Sequence, residues 1–151
     1  MTDNSNPADF LSEIESRRGG KVGWRTYSTW FCDGRNLREY GVFLYEIDSV
    51  LWYEDFEHRP TLLGYKLPKR KNEPEYEKLQ GSFTPADVES VTEVSKVRAV
   101  SFFRTGDPEC LKPAGTAERI LRRLVTLVRL KDGRTLFFEL LDRKQFEAKL
   151  R

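Results

Sequence analysis

Histidine, methionine and cysteine are scarce in this 151-residue chain, with one His, one Met and two Cys. A structural zinc site takes its four ligands from Cys and His, so this supply nearly rules one out. Cys32 and Cys110 lie far apart, so a disulfide framework is not expected; a reducing compartment is the default and a single bridge the open alternative. No apolar run is long enough to span a bilayer. The polar start, Met1-Thr2-Asp3-Asn4-Ser5-Asn6, has neither the basic residues nor the apolar core of a signal peptide. The expectation is a cytoplasmic protein that is not transmembrane. Charge of one sign is lacking too. Twenty-six basic side chains nearly cancel 24 acidic ones, and a net +2 gives no global attraction to nucleic acid. No nucleophile, base or cofactor motif forms a group, so an enzyme is the weakest reading and neither a metal nor a cofactor is expected.

What the chain does have is aromatics, at 13%. They favour strands. The length suits one domain with one core. Residues 1–20 read as a polar tail and a short helix, Pro7–Arg18, with Asn6 as N-cap, Pro7 in the first turn and Gly19-Gly20 as the stop. That helix is expected to dock on the body or over a barrel mouth; a partner-binding arm is the alternative. Residues 21–151 form the body. Strands are expected over Lys21–Cys32 and Leu37–Tyr45, with a turn at Asp33-Gly34, and Glu46–Tyr53 reads as a bend and a third strand. Thr61–Leu67 and Tyr76–Phe83 read as arms of one long hairpin whose tip, Pro68 to Glu75, is exposed. Asp87–Val94 and Lys96–Arg104 read as two further strands, and Thr105–Gly115 as an unusually long loop.

The tail is the most legible stretch. Lys131-Asp132-Gly133-Arg134 predicts a tight turn, and a two-residue type I′ loop would set Leu127 opposite Phe138 and Val125 opposite Leu140. Those residues would face the core, leaving Val128 and Phe137 on a half-wet face. Asp142 with Gln145 predicts a capping box, with Leu141 stapled against Phe146. Phe146 and Leu150 share one helical stripe. The whole reads as mainly β: an antiparallel barrel or bent sandwich capped by a C-terminal α-helix.

Two stretches carry a family resemblance. Ser82-Phe83-Thr84-Pro85-Ala86-Asp87-Val88-Glu89-Ser90-Val91 is similar to the bend into a mid-barrel strand of bacterial pleckstrin-homology-like (PH-like) domains. Leu124–Leu150 is similar to their last hairpin and closing helix. The resemblance implies a PH-like β-barrel, and a scaffold rather than an activity: relatives bind lipid headgroups, peptides or partner domains.

The candidate roles follow. The leading one is a non-enzymatic binding or scaffolding module acting through protein contacts, with a protein partner or a homodimer. The runner-up is peripheral recognition of an anionic lipid surface or a phosphorylated ligand through Lys69, Arg70 and Lys71, with Lys66 nearby, and through Arg119, Arg122 and Arg123, with Arg98 and Arg104 at hand. Forked arginines suit phosphate and carboxylate. Against the first group, Glu73, Glu75 and Glu77 cancel the field; against the second, acids such as Glu118 and Glu139 offer ion pairs. A small-ligand barrel is the third reading. His58 has no partner in the sequence pattern. Trp24, Tyr27, Trp30, Trp52, Tyr53 and Phe56 read as core or subunit interface, or as a platform for a peptide or single strand; nucleic acid is disfavoured because basics do not interleave with these rings.

Overall fold

The computed structural model describes residues 6–32, 40–55, 61–62, 65–66, 71 and 78–151. Helix α1 (Pro7–Arg18) leads into strands β1 (Arg25–Cys32), β2 (Tyr40–Ile47) and β3 (Val50–Asp55). A short ribbon, β4 (Thr61–Leu62) and β5 (Tyr65–Lys66), precedes β6 (Gln80–Phe83) and β7 (Val88–Ser95). Helices α2 (Lys96–Thr105) and α3 (Thr116–Leu121) come next, then β8 (Leu124–Leu130), β9 (Thr135–Leu140) and α4 (Arg143–Lys149). Seven strands form one antiparallel sheet in the order β6-β3-β2-β1-β9-β8-β7. The fold is therefore mainly β with a C-terminal helix, as the sequence predicts.

The sheet is curled into a half-barrel. Tyr53 on β3 and Phe138 on β9 are three strand spacings apart, roughly 14 Å in a flat sheet, yet their ring centroids are 6.1 Å apart. Arg134, at the start of β9, donates to the Ser82 carbonyl on β6 at 3.0 Å. Phe31, Val42, Leu44, Leu51, Phe83, Val128, Leu136 and Phe138 fill the concave face together with Tyr53, and Phe146 of α4 drops into that cluster. Helix α1 covers the convex face of β2 and β3, where Ile14 is buried among Phe43, Tyr45 and Ile47. Helix α2 covers the convex face farther along, setting Ala99 against Trp30, Val94, Val125, Leu127 and Phe137. Both faces of the sheet are thus dry over most of their width, which explains strands that are apolar on both sides.

Helix α1 forms where predicted. Asn6 accepts from the Ala8 N–H at 3.2 Å, and Gly19 ends the helix in the left-handed region at φ 73°. It sits on the convex face, not over an open end. Nη2 of Arg17 donates to both carboxylate oxygens of Glu54, at 2.9 and 2.8 Å, while Arg18 and Lys78 stand 3.8 and 3.4 Å from the same carboxylate, which is buried. Arg18 also lies over the Trp52 ring at 3.9 Å and donates to the Tyr45 hydroxyl at 3.2 Å. Burial pushes the Tyr45 phenol up.

The last hairpin corrects the predicted register by one residue. Thr126 pairs with Phe138, Leu127 with Phe137 and Val128 with Leu136. The loop holds three residues, not two: Leu130 N–H donates to the Arg134 carbonyl at 2.9 Å, and Gly133 N–H to the Leu130 carbonyl at 3.0 Å. Gly133 takes φ 91°, while Asp132 is not among the positive-φ residues, so the turn is a type I turn with a glycine bulge. The Asp132 carboxylate holds that geometry by accepting from the Arg134 N–H at 3.0 Å and from Nε at 2.8 Å. With a period of two, one residue of slip exchanges the faces. Val128 and Phe138 therefore share the concave core, and Leu127, Val125 and Phe137 share the convex one. The two-residue turn with positive φ is instead at Asp48 (50°) and Ser49 (65°), between paired Ile47 and Val50.

Three further expectations are corrected. Lys96–Arg104 is helix, not strand, because Ala99, Phe102 and Phe103 recur at helical spacing and meet one cluster; aromatic content concealed that stripe. Among the described residues, the two arms expected to pair with each other do not. Strand β4 pairs with β5, and β6 pairs with β3, where Gly81 makes room for Tyr53: a Cβ there would lie 2.2 Å from the phenol oxygen. The capping box and staple at α4 do not form. Asp142 makes no side-chain cap, Leu141 is 67% exposed, and Gln145 instead accepts from the Trp24 indole at 3.0 Å. The Asp33-Gly34 turn, the tip from Pro68 to Arg70, and Asn72 to Glu75 lie outside the described residues.

Three carboxyls are held below their ordinary range. Asp87 accepts from the Thr84 N–H at 2.7 Å and its hydroxyl at 2.8 Å; Asp132 accepts from Arg134 as above; Glu15 accepts from Lys21 at 2.6 Å and the Val22 N–H at 3.0 Å. Each folded pKa lies below its unfolded value. The stability each contributes is present above about pH 4 and is lost as pH falls through the folded value. In urea melts from neutral to acid pH, Asp87→Ala combined with Asp132→Ala is expected to flatten the acid limb. A limb as steep as that of the parent chain would contradict this.

Candidate functional site

The cations singled out in the sequence do not converge. Lys69 and Arg70 lie outside the described residues, and Lys71 is an exposed turn residue. Arg119 is paired with Glu93 at 2.8 Å. Arg98 is paired with Glu118 at 2.7 Å and donates to the carbonyls of Lys112 and Glu109 at 2.8 and 3.3 Å. Arg123 is 3.9 Å from Glu139 and mostly exposed. Arg122 and Arg104 are exposed. The expected competition from Glu118 and Glu139 is real, and it divides the cluster: Arg119 and Arg98 are engaged in structure, while Arg104, Arg122 and Arg123 face outward.

The aromatic set is dispersed likewise. Trp30 and Tyr53 are buried on opposite faces of the sheet, Trp24 packs on Phe146, Trp52 lies under Arg18, and Tyr27 is half-exposed. They build core and do not form one platform. Phe56 and His58 lie outside the described residues. Cys32 is buried and Cys110 half-buried. Among the described residues no group of His, Cys, Asp and Glu is placed to hold a metal ion, and no helix is long and apolar enough to cross a membrane.

A different place has the geometry of a recognition site. The curled sheet ends at β7, whose inner side pairs with β8 from Val88 to Ser95 with a bulge at Glu89. Backbone parity shows what its outer side offers. The Glu93 carbonyl points away from β8, because it accepts from the Ala114 N–H at 2.8 Å. Backbone groups alternate along a strand, so Val91 also turns its N–H and C=O outward. Among the described residues, the loop that carries Ala114 makes its main-chain bond to this edge at Glu93 alone. Beside the rest runs a groove of about 410 Å³, with Pro85, Val88, Glu89, Ser90 and Val91 on the strand side and Glu147, Leu150 and Arg151 on the side of α4.

Each wall has a local cause. Thr84-Pro85 starts a 3-10 turn closed by Asp87, which aims the chain into β7. The Glu89 bulge bends that strand. Helix α4 is pinned by Phe146 beneath it, which places Glu147 and Leu150 along the groove. Glu93 anchors the far end by pairing with Arg119 and with Arg143. An unpaired strand edge is a row of main-chain donors and acceptors that another strand can complete. Sequence reasoning missed this site because edge position is a property of sheet order. The one local signal was composition: Glu89, Ser90, Thr92 and Glu93 make β7 far more polar than β2 or β8, as edge strands are.

No family model matches the chain, and no curated protein or solved structure matches it.

Proposed function

We propose that the chain is a non-enzymatic binding module on a PH-like half-barrel, and that it acts by adding an extended segment of a partner protein to the free edge of β7. The observation that carries this is the outward-facing main chain of Val91 beside the groove walled by α4. Main-chain hydrogen bonds supply affinity in strand addition, and alternate side-chain pockets supply specificity. Here Val88, Val91 and Leu150 would take apolar side chains, and Glu89 and Glu147 favour a basic residue between them. A second copy paired β7 to β7 is the homodimeric form of the same contact.

The test is an amide NMR titration of the chain with synthetic ten-residue peptides alternating Val and Lys. Shifts are expected at Val88–Thr92 and Glu147–Arg151. Val91→Pro removes an outward N–H that the β7–β8 ladder does not use, a place where edge strands tolerate proline. It is expected to weaken binding at least about tenfold while the sheet stays folded, a loss of roughly 1.4 kcal/mol or more. Shifts confined to other surfaces, or binding indifferent to Val91→Pro, would overturn the proposal. Self-association that rises with concentration and is lost on Val91→Pro identifies the homodimeric form.

A further inference from the structure

A second groove, of about 470 Å³, lies between α2 and the segment joining α3 to β8. Its walls are Val97, Val100 and Leu121, and its rim is Arg104, Arg122 and Arg123. Two of the wall residues sit in solvent: Val97 is 58% and Leu121 78% exposed. Neighbouring core residues are almost fully buried, so this is apolar surface left uncovered beside packed structure. Single exposed apolar residues need no explanation, but adjacent ones lining a concavity do.

The charges around it are unbalanced. Lys96, also at the groove, is already held by Glu139 at 2.8 Å. Arg123 reaches the same carboxylate only at 3.9 Å and is 80% exposed, so that pair contributes little. Arg104 and Arg122 are bonded to no carboxylate among the described residues. An occupant must therefore bring both carboxylates and apolar side chains.

We infer that this groove docks an acidic, partly apolar peptide segment of a second partner. Its carboxylates face Arg104 and Arg122, and its large apolar side chains rest on Leu121 and Val97. Guanidinium forks match carboxylates in a two-point geometry that a lysine cannot offer. A bilayer fits less well. A planar surface does not enter a groove, and the few free charges would contribute only about 1 kcal/mol each at an anionic membrane. This site is separate from the β7 edge, and neither proposal needs the other.

The experiment is a selection of displayed random 16-residue peptides on the full chain, followed by titration of the enriched sequences as synthetic peptides. The expected outcome includes a class with net negative charge and at least two large apolar residues. Their affinity should fall at least about tenfold on Arg104→Glu with Arg122→Glu, and again as salt screens the pair. Leu121→Asp should weaken them as well, and Val91→Pro should leave them unaffected. Both arginines are exposed, so an unchanged melting temperature separates lost binding from lost fold. The inference is overturned if no acidic class is enriched, if the enriched peptides ignore Arg104→Glu with Arg122→Glu, or if those substitutions abolish sedimentation with phosphatidylserine vesicles instead of peptide binding.

Discussion

Phe146→Ala is expected to lower the stability of the chain by about 3–5 kcal/mol, the usual consequence of deleting a buried aromatic. Phe146 is fully buried, with its ring 5.9 Å from Phe138 and 6.1 Å from Trp24, and it is the residue by which α4 enters the concave core. Helix α4 spans only Arg143–Lys149, too short to persist alone, so its structure depends on that contact. The variant should therefore lose α4 before the sheet melts. Urea unfolding followed by tryptophan fluorescence gives the stability, and amide exchange along 143–149 reports the helix. A loss below about 1 kcal/mol would mean that the helix is not seated as described.

The second large effect concerns Glu54. Replacing Arg17 and Arg18 together with alanine leaves a buried carboxylate with Lys78, at 3.4 Å, as its one remaining cation among the described residues. Stranding a buried charge typically destabilises by about 3–5 kcal/mol. Arg17 is itself 37% exposed, so solvent screening places the expectation at the lower end, about 3 kcal/mol. Glu54→Met alone should be milder, because Arg17 and Lys78 reach water and Arg18 keeps the Tyr45 hydroxyl and the Trp52 ring. Adding Glu54→Met to the double variant should restore much of the loss, a coupling that independent sites would not show. If the three substitutions simply add, the carboxylate and the arginines do not act as one unit.

The tail and the first helix were legible because their signals are local. Asn6, Pro7 and Gly19 mark the ends of α1, and Lys131-Asp132-Gly133 marks the last hairpin, although the cap at Asp142 and the staple at Leu141 read beside it do not form. What local residues could not supply was the number of residues in the loop. A type I turn with a glycine bulge and a type I′ turn use the same Asp-Gly pair, and the choice moved Val128 and Leu127 to opposite cores. Ala99 and Phe103 were misread for a similar reason: a short aromatic run satisfies both a strand and a helix until its packing partner is known. Topology lay further out of reach. That β6 pairs with β3, and that β7 ends the sheet, follows from which strands fill the concave core around Tyr53 and Phe138. The cations drew attention because charge is visible in sequence, whereas the strand edge is made of backbone, which every residue has.

The account stands on β7 being the open end of the half-barrel, and hydrogen exchange tests that directly. The Val91 amide should exchange with water far faster than those of Leu127 and Phe137 inside the sheet, and should slow when a strand-forming peptide is added. A Val91 amide as protected in the free monomer as Leu127 would show that the edge is already paired and would contradict the account.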